Sequence, residues 1–125
     1  MILVDTDVLI EIFDRNSRKG EEALKKIEEA GDDVIITSLN LHEILYGLYK
    51  YASKEKIDRI MLLDVAEFSK EDADLSARLE IESERKGKKT ARFDAMIAAI
   101  AINHKFRLFT FDKKHYDDFD KLILV

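Results

Sequence analysis

Short apolar runs alternate with longer amphipathic stretches along this chain, and that alternation constrains its fold more than any other feature. Ile2-Leu3-Val4 and Val34-Ile35-Ile36 are too short for helices and apolar at every position. Strands covered on both faces read this way. Residues 65–68 read as a short edge strand, and 107–111 and 122–125 as closing strands. Between them, residues 8–13 open a helix. Residues 19–30 form a charged amphipathic helix with Ala23, Leu24 and Ile27 inward and Gly31 as its stop. Residues 39–51 and 57–63 read as two more helices. Ser69 and Asp72 make a capping-box pattern for a helix to about Lys86, ended by Gly87. Residues 94–104 are apolar nearly all round, so that helix is expected to be buried. The alternation predicts parallel βαβ units with helices on both faces of one sheet, in a single domain over 1–125.

Composition narrows the class. Hydrophobic residues make up 46%, an ordinary globular share, and 38% are charged. No apolar run is long enough to span a bilayer and none reads as a leader, so a cytoplasmic protein is expected. There is no cysteine, which removes disulfides and thiolate metal sites. There is no Gln and Asn occurs only at 16, 40 and 103, while Lys, Glu and Ile are plentiful; this is the bias of a heat-adapted protein. The net charge of −5 argues against a broad non-specific nucleic-acid coat. It leaves room for an acidic pocket that reaches phosphates through a bound cation.

In open α/β sheets ligands bind beyond the carboxyl ends of the strands. Asp5 directly follows the first strand, Thr37 and Ser38 the second, and Asp112 the run 107–111. Glu43 shares a helix face with Asn40 and Gly47, and Gly47 is expected to admit another backbone closely. Asp94 opens the apolar helix. Each acid alone has a plainer explanation as a cap or turn residue. Together they would crowd carboxylates into one cleft, which a hard divalent cation resolves. Oxygen-only ligands favour Mg²⁺ or Mn²⁺, and such an ion suits phosphodiester hydrolysis.

Val4-Asp5-Thr6-Asp7-Val8-Leu9-Ile10, a helix Glu within 38–43, Asp94-Ala95-Met96-Ile97-Ala98-Ala99 and Leu108-Phe109-Thr110-Phe111-Asp112 resemble, in order, the motifs of the PIN-domain ribonucleases. The size and the ending at 113–119 look most like the VapC toxins of toxin–antitoxin pairs. The resemblance covers essentially the whole chain. It implies a three-layer α/β/α sandwich around a parallel sheet of order 3-2-1-4-5. It implies Asp5, Glu43, Asp94 and Asp112 around Mg²⁺ or Mn²⁺, RNA cleavage, a homodimer, and a cognate antitoxin that covers the site. In this reading Asp5, Asp94 and Asp112 bind metal, and Glu43 binds a second metal or orients the attacking water. Thr6, Thr110, Ser38 and Asn40 are expected to hold those ligands by hydrogen bonds. The sequence departs from the family where Asp7 replaces a frequent Asn and where His115 replaces a frequent Asp.

Five cations crowd into residues 85–92, and Lys88, Lys89 and Arg92 are candidates for RNA phosphates. His42, His104 and His115 read as surface or packing residues, and Tyr46, Tyr49 and Tyr51 as core or dimer contacts. Leu45, Leu48 and Tyr49 form an apolar face for a second copy or an antitoxin. Two other readings compete. One is a PIN-like module that only binds. The other is a haloacid-dehalogenase-like phosphatase with Asp5 as nucleophile, although the chain lacks that family's Gly-Thr after the second Asp and its late Gly-Asp motif.

Overall fold

The computed structural model describes residues 1–51 and 53–125. Five parallel strands lie in the order β3-β2-β1-β4-β5: β1 Ile2–Val4, β2 Val34–Thr37, β3 Asp64–Ala66, β4 Arg107–Phe109 and β5 Ile123–Leu124. The helices are α1 Thr6–Leu9, α2 Arg18–Ala30, α3 Ser38–Lys50, α4 Lys54–Ile60, α5 Lys70–Arg85 and α6 Arg92–His104. This is the α/β architecture and strand order that the sequence implied.

The two-residue period of a strand divides the core into two layers. Ile2 and Val4 of β1, Ile36 of β2 and Phe109 of β4 pack with α1 to α4, against Val8, Ile27, Ile44, Leu48 and Ile60. Leu3, Ile35 and Leu108, one residue out of phase, face the opposite layer and meet Ala95, Ile97, Ala98, Ile100 and Ala101 of α6. The small alanines let α6 lie close on the sheet, and α5 packs outside it. Buried Asp72 of α5 accepts from Asn103 Nδ2 of α6 at 2.8 Å, which helps fix the pair. Among the described residues no helix is long and apolar enough to cross a membrane.

Helix ends follow their sequence signals. Ser69 and Asp72 form the reciprocal cap of α5. Gly31, at φ 64°, closes α2 in the left-handed conformation that glycine adopts without a Cβ penalty. Several expectations need correction. The helix expected over 8–13 is a single α-turn, α1, that widens into a π-helical turn over Ile10–Asp14, with the Arg15 N–H donating to the Ile10 carbonyl at 2.9 Å. Leu24 is exposed rather than inward. Tyr46, Tyr49 and Tyr51 are exposed and outside the core, whereas Leu48 is buried within it and Leu45 packs against it. Strand β4 ends at Phe109 and not at 111, because Thr110 and Phe111 turn away to bond Asp7.

Two glycines behave oppositely. A Cβ on Gly20 would stand 2.3 Å from the Glu11 carbonyl oxygen and 2.9 Å from the Ile12 nitrogen, so α2 rests directly on the π-turn backbone. At Gly47, where close backbone approach was expected, no atom lies within 4 Å of such a Cβ. Gly20→Ala should therefore destabilise the chain by about 2–3 kcal/mol through overpacking against rigid backbone. Gly47→Ala should stabilise it by about 0.5–1 kcal/mol through helix propensity. Urea unfolding of both variants checks this, and equal effects would refute the packing argument.

Candidate functional site

The site assembles at the carboxyl end of β1. Asp5 caps α1 and is nearly buried, a costly place for a carboxylate unless every lone pair is satisfied. Its Oδ1 accepts from the Thr6 amide at 2.9 Å and from Asn40 Nδ2 at 3.3 Å. Its Oδ2 accepts from the Thr110 hydroxyl at 2.9 Å and the Tyr116 hydroxyl at 3.1 Å. These donors come from α1, α3, the loop after β4 and the 3₁₀ turn Lys113–Tyr116.

Asn40 is fully buried and does two things at once. Its Oδ1 accepts from the backbone and hydroxyl of Thr37, and its own N–H donates back to Thr37, closing the cap of α3. Its Nδ2 donates to Asp5 and, at 2.9 Å, to the Thr6 hydroxyl, which in turn donates to Glu43 Oε1 at 2.6 Å. Glu43 is thereby aimed at the same end of the sheet as Asp5, although it is exposed. Ser38 merely opens α3; the capping hydroxyl belongs to Thr37.

Asp94 lies in the first turn of α6, half-buried. Its Oδ1 is 3.4 Å from the Tyr116 hydroxyl, which bridges it to Asp5. Its Oδ2 is 3.4 Å from His115 Nδ1, and that nitrogen is 3.0 Å from Asp112 Oδ2. Each crowded pair of acids is thus spaced by one proton donor. Tyr116 and His115 were not expected here. Sequence carried a signal only for His115, three residues after Asp112 on a 3₁₀ turn, where positions i and i+3 eclipse.

Electrostatics agree with this crowding. Burial, then the Asp5 charge, push Asp94 above the usual carboxylate range, partly offset by His115 and Tyr116. Asp7 is raised by the same two causes in the same order. Its Oδ2 takes the Phe111 amide at 3.1 Å and the Thr110 hydroxyl at 3.3 Å, while its buried Oδ1 has no partner. The Tyr116 phenol is driven far above its ordinary value, by burial first and then by Asp5 and Asp94, and stays a donor.

Asp5, Asp94 and Asp112 offer oxygen donors of the type a hard divalent cation takes. Among the described residues no three acids or histidines yet enclose a single cation position. Tyr116 and His115 fill the gaps, so a cation would have to take the place of donor hydrogen bonds.

The basic segment is less free than its composition suggests. Lys88 pairs with Asp118, Arg92 with Glu80 at 3.0 Å and Lys86 with Glu82 at 3.3 Å. Lys89 has no ion pair among the described residues and lines a cavity of about 150 Å³ with Asp94, Lys114 and His115.

Residues 2–122 match the family model of the PIN domain. The chain belongs to the PIN-domain family. This PIN domain is similar to a chain of the VapBC2 complex of Rickettsia felis, solved on a DNA fragment from its promoter. The two are 26% identical, with a TM-score of 0.82 over 100% of this chain and 98% of that one. It is similar to a chain of a toxin–antitoxin complex from Klebsiella pneumoniae, at 25% identity and TM-score 0.79, over 98% and 96% of the chains. Its fold also matches VapC20 of Mycobacterium tuberculosis, a toxin that cleaves the sarcin–ricin loop, at 16% identity and TM-score 0.66, over 93% of each chain. No curated protein matches it.

Asp7 gives a test of the crowding. A carboxyl raised on folding contributes stability below its unfolded value and loses it as pH rises through its folded value. Without metal, Asp7→Asn should therefore be more stable than the wild type at neutral pH, by about 0.5–1 kcal/mol after allowing for solvent screening. That is roughly 2–5 °C in Tm. The gap should close as pH falls towards the ordinary aspartate range. Thermal melts in EDTA at pH 4 to 8 measure it, and a constant gap would contradict the electrostatic cause.

Proposed function

We propose that this PIN domain is a divalent-metal-dependent endoribonuclease, the toxin member of a toxin–antitoxin pair, working as a homodimer inhibited by its cognate antitoxin. The observation that supports the chemistry most is the Tyr116 hydroxyl lying between Asp5 and Asp94, with Asp112 joined to Asp94 through His115. Acids distant in sequence meet at one strand end, where capping alone gives no reason for them to converge. The similarity to toxin–antitoxin complexes at 25–26% identity supports the biological role.

In this reading Asp5, Asp94 and Asp112 hold Mg²⁺ or Mn²⁺. A bound ion of this kind supplies an acidified water and offsets charge on a phosphoryl oxygen. Glu43, fixed by the Thr6–Asn40 chain, orients the attacking water or assists a second ion. The water oxygen bonds to phosphorus, one phosphoester P–O bond breaks, and the leaving oxygen takes up a proton. In this reading Lys89 and Lys114, which line a cavity with Asp94, would meet RNA phosphates, with Lys88 and Arg92 joining when their surface ion pairs open. Exposed Tyr46, Tyr49 and Tyr51 offer an apolar face to the antitoxin or the second copy. Direct attack by Asp5 on a phosphate fits poorly, since Val8-Leu9 follows Asp7 where the phosphatases of that kind carry Gly-Thr, and no late Gly-Asp motif is present.

Cleavage of a pool of structured and single-stranded RNAs tests this. The wild type should cut in Mn²⁺ or Mg²⁺ and not in EDTA. Asp94→Asn should lose at least about 100-fold, the scale of removing one preorganised electrostatic group. Metal-independent cutting, or full activity in Asp94→Asn, would overturn the assignment.

A further inference from the structure

We propose that His115 is itself a metal ligand, giving the centre a nitrogen donor and a preference for Mn²⁺ over Mg²⁺. The proposal rests on the metal-dependent reading above and adds a residue to it.

His115 Nδ1 stands 3.0 Å from Asp112 Oδ2 and 3.4 Å from Asp94 Oδ2. This nitrogen lies on the side of the ring turned towards the two acids, while the side chain as a whole is 61% exposed. The 3₁₀ turn holds this arrangement: Asp112 precedes Lys113–Tyr116, and the His115 amide donates to the Asp112 carbonyl at 3.2 Å. An acid and a histidine three residues apart on one turn is a pairing that places both on one ion in carboxylate-bridged metal proteins. The next residue, Tyr116, is buried and anchored on Asp5 and Asp94, so the turn cannot swing away from the acids without breaking those bonds.

Charge favours the same assignment. Asp5, Asp7, Asp94, Asp112 and Glu43 gather at this end of the sheet, linked through Thr6, Asn40, Thr110, Tyr116 and His115. A neutral imidazole adds a ligand without adding repulsion. Asp5 has its lone pairs filled from four directions, whereas Asp94 Oδ2 and Asp112 Oδ2 share only the movable His115. A cation therefore reaches Asp94 Oδ2 and Asp112 Oδ2 by displacing the contacts of one side chain, His115. Imidazole suits later divalent metals, and affinity for nitrogen-containing sites rises from Mn²⁺ towards Cu²⁺, while Mg²⁺ prefers oxygen.

The experiment uses the full chain free of antitoxin, with Mn²⁺ as the probe. Pulsed electron paramagnetic resonance of bound Mn²⁺ should show a directly coordinated ¹⁴N in the wild type. The signal should vanish in His115→Ala and persist in His104→Ala, since His104 bonds the Ile100 carbonyl and stacks on Phe106. By calorimetry, His115→Ala should lose about 10-fold in Mn²⁺ affinity, the low end of the range for perturbing a metal's ligand environment, with little change for Mg²⁺. Circular dichroism should show both variants folded; a misfolded His115→Ala is replaced by His115→Gln. Mn²⁺ bound without histidine coupling overturns this proposal and leaves the metal-dependent nuclease intact. No Mn²⁺ binding by the folded wild type overturns both.

Discussion

The structure turns on one nearly buried carboxylate. Asp5 ends the central strand, and its four hydrogen bonds come from four separate segments. A buried charge left unpaired would be expensive, so each donor is held to its place by the need of the acid. The result is a clamp: α3 is tied through Asn40, the β4 loop through Thr110 and the final turn through Tyr116. The parallel sheet brings these pieces near each other, and Asp5 fixes their mutual position.

The clamp also concentrates charge that the fold alone would avoid. Asp7 and Asp94 titrate above their usual range because they are partly buried beside Asp5, and Asp7 keeps one oxygen without a partner. A structure optimised only for stability would place amides or apolar groups here. Acids held partly buried beside one another at a cost in stability are a pattern of functional sites, and on the proposed reading a cation would offset that cost. Tyr116 and His115 supply part of that compensation, each standing between two of the acids.

The sheet was legible because strands of three or four apolar residues, alternating with helix-length segments, leave few alternatives. Capping chemistry at Ser69 and Asp72, and Gly31, was legible because it is local. What escaped depended on contacts between distant segments. Gly20 looks like an unremarkable helix residue until the π-turn backbone lies against it. Leu24 sits beside two inward residues, yet the exact rotation of α2 leaves it outside. Strand β4 stops early because Asp7, a hundred residues away in sequence, captures the Phe111 amide. Asp5 and Asp112 were read from their positions after strands, Asp94 from a helix start and Glu43 from a helix face, but Tyr116 carries no sequence mark. Its role exists only because the 3₁₀ turn folds back under α6.

On the proposed function, a chain with a net charge of −5 would have to hold RNA. Of the five cations in 85–92, Lys86, Lys88 and Arg92 are already paired with acids, so only Arg85 and Lys89 are left uncompensated by those pairs. Exposed pairs of this kind are worth about 0–1 kcal/mol and exchange readily. A phosphate that draws Lys88 or Arg92 away from its partner gains little net attraction and frees Asp118 or Glu80 to repel the backbone. Long-range attraction for RNA is therefore weak, and a cation seated among Asp94, Asp112 and His115 would be the strongest local contact a phosphate could make. On the proposed reading, recognition by such a surface would come from RNA shape and splayed bases fitting the cleft rather than from a general affinity for polyanions.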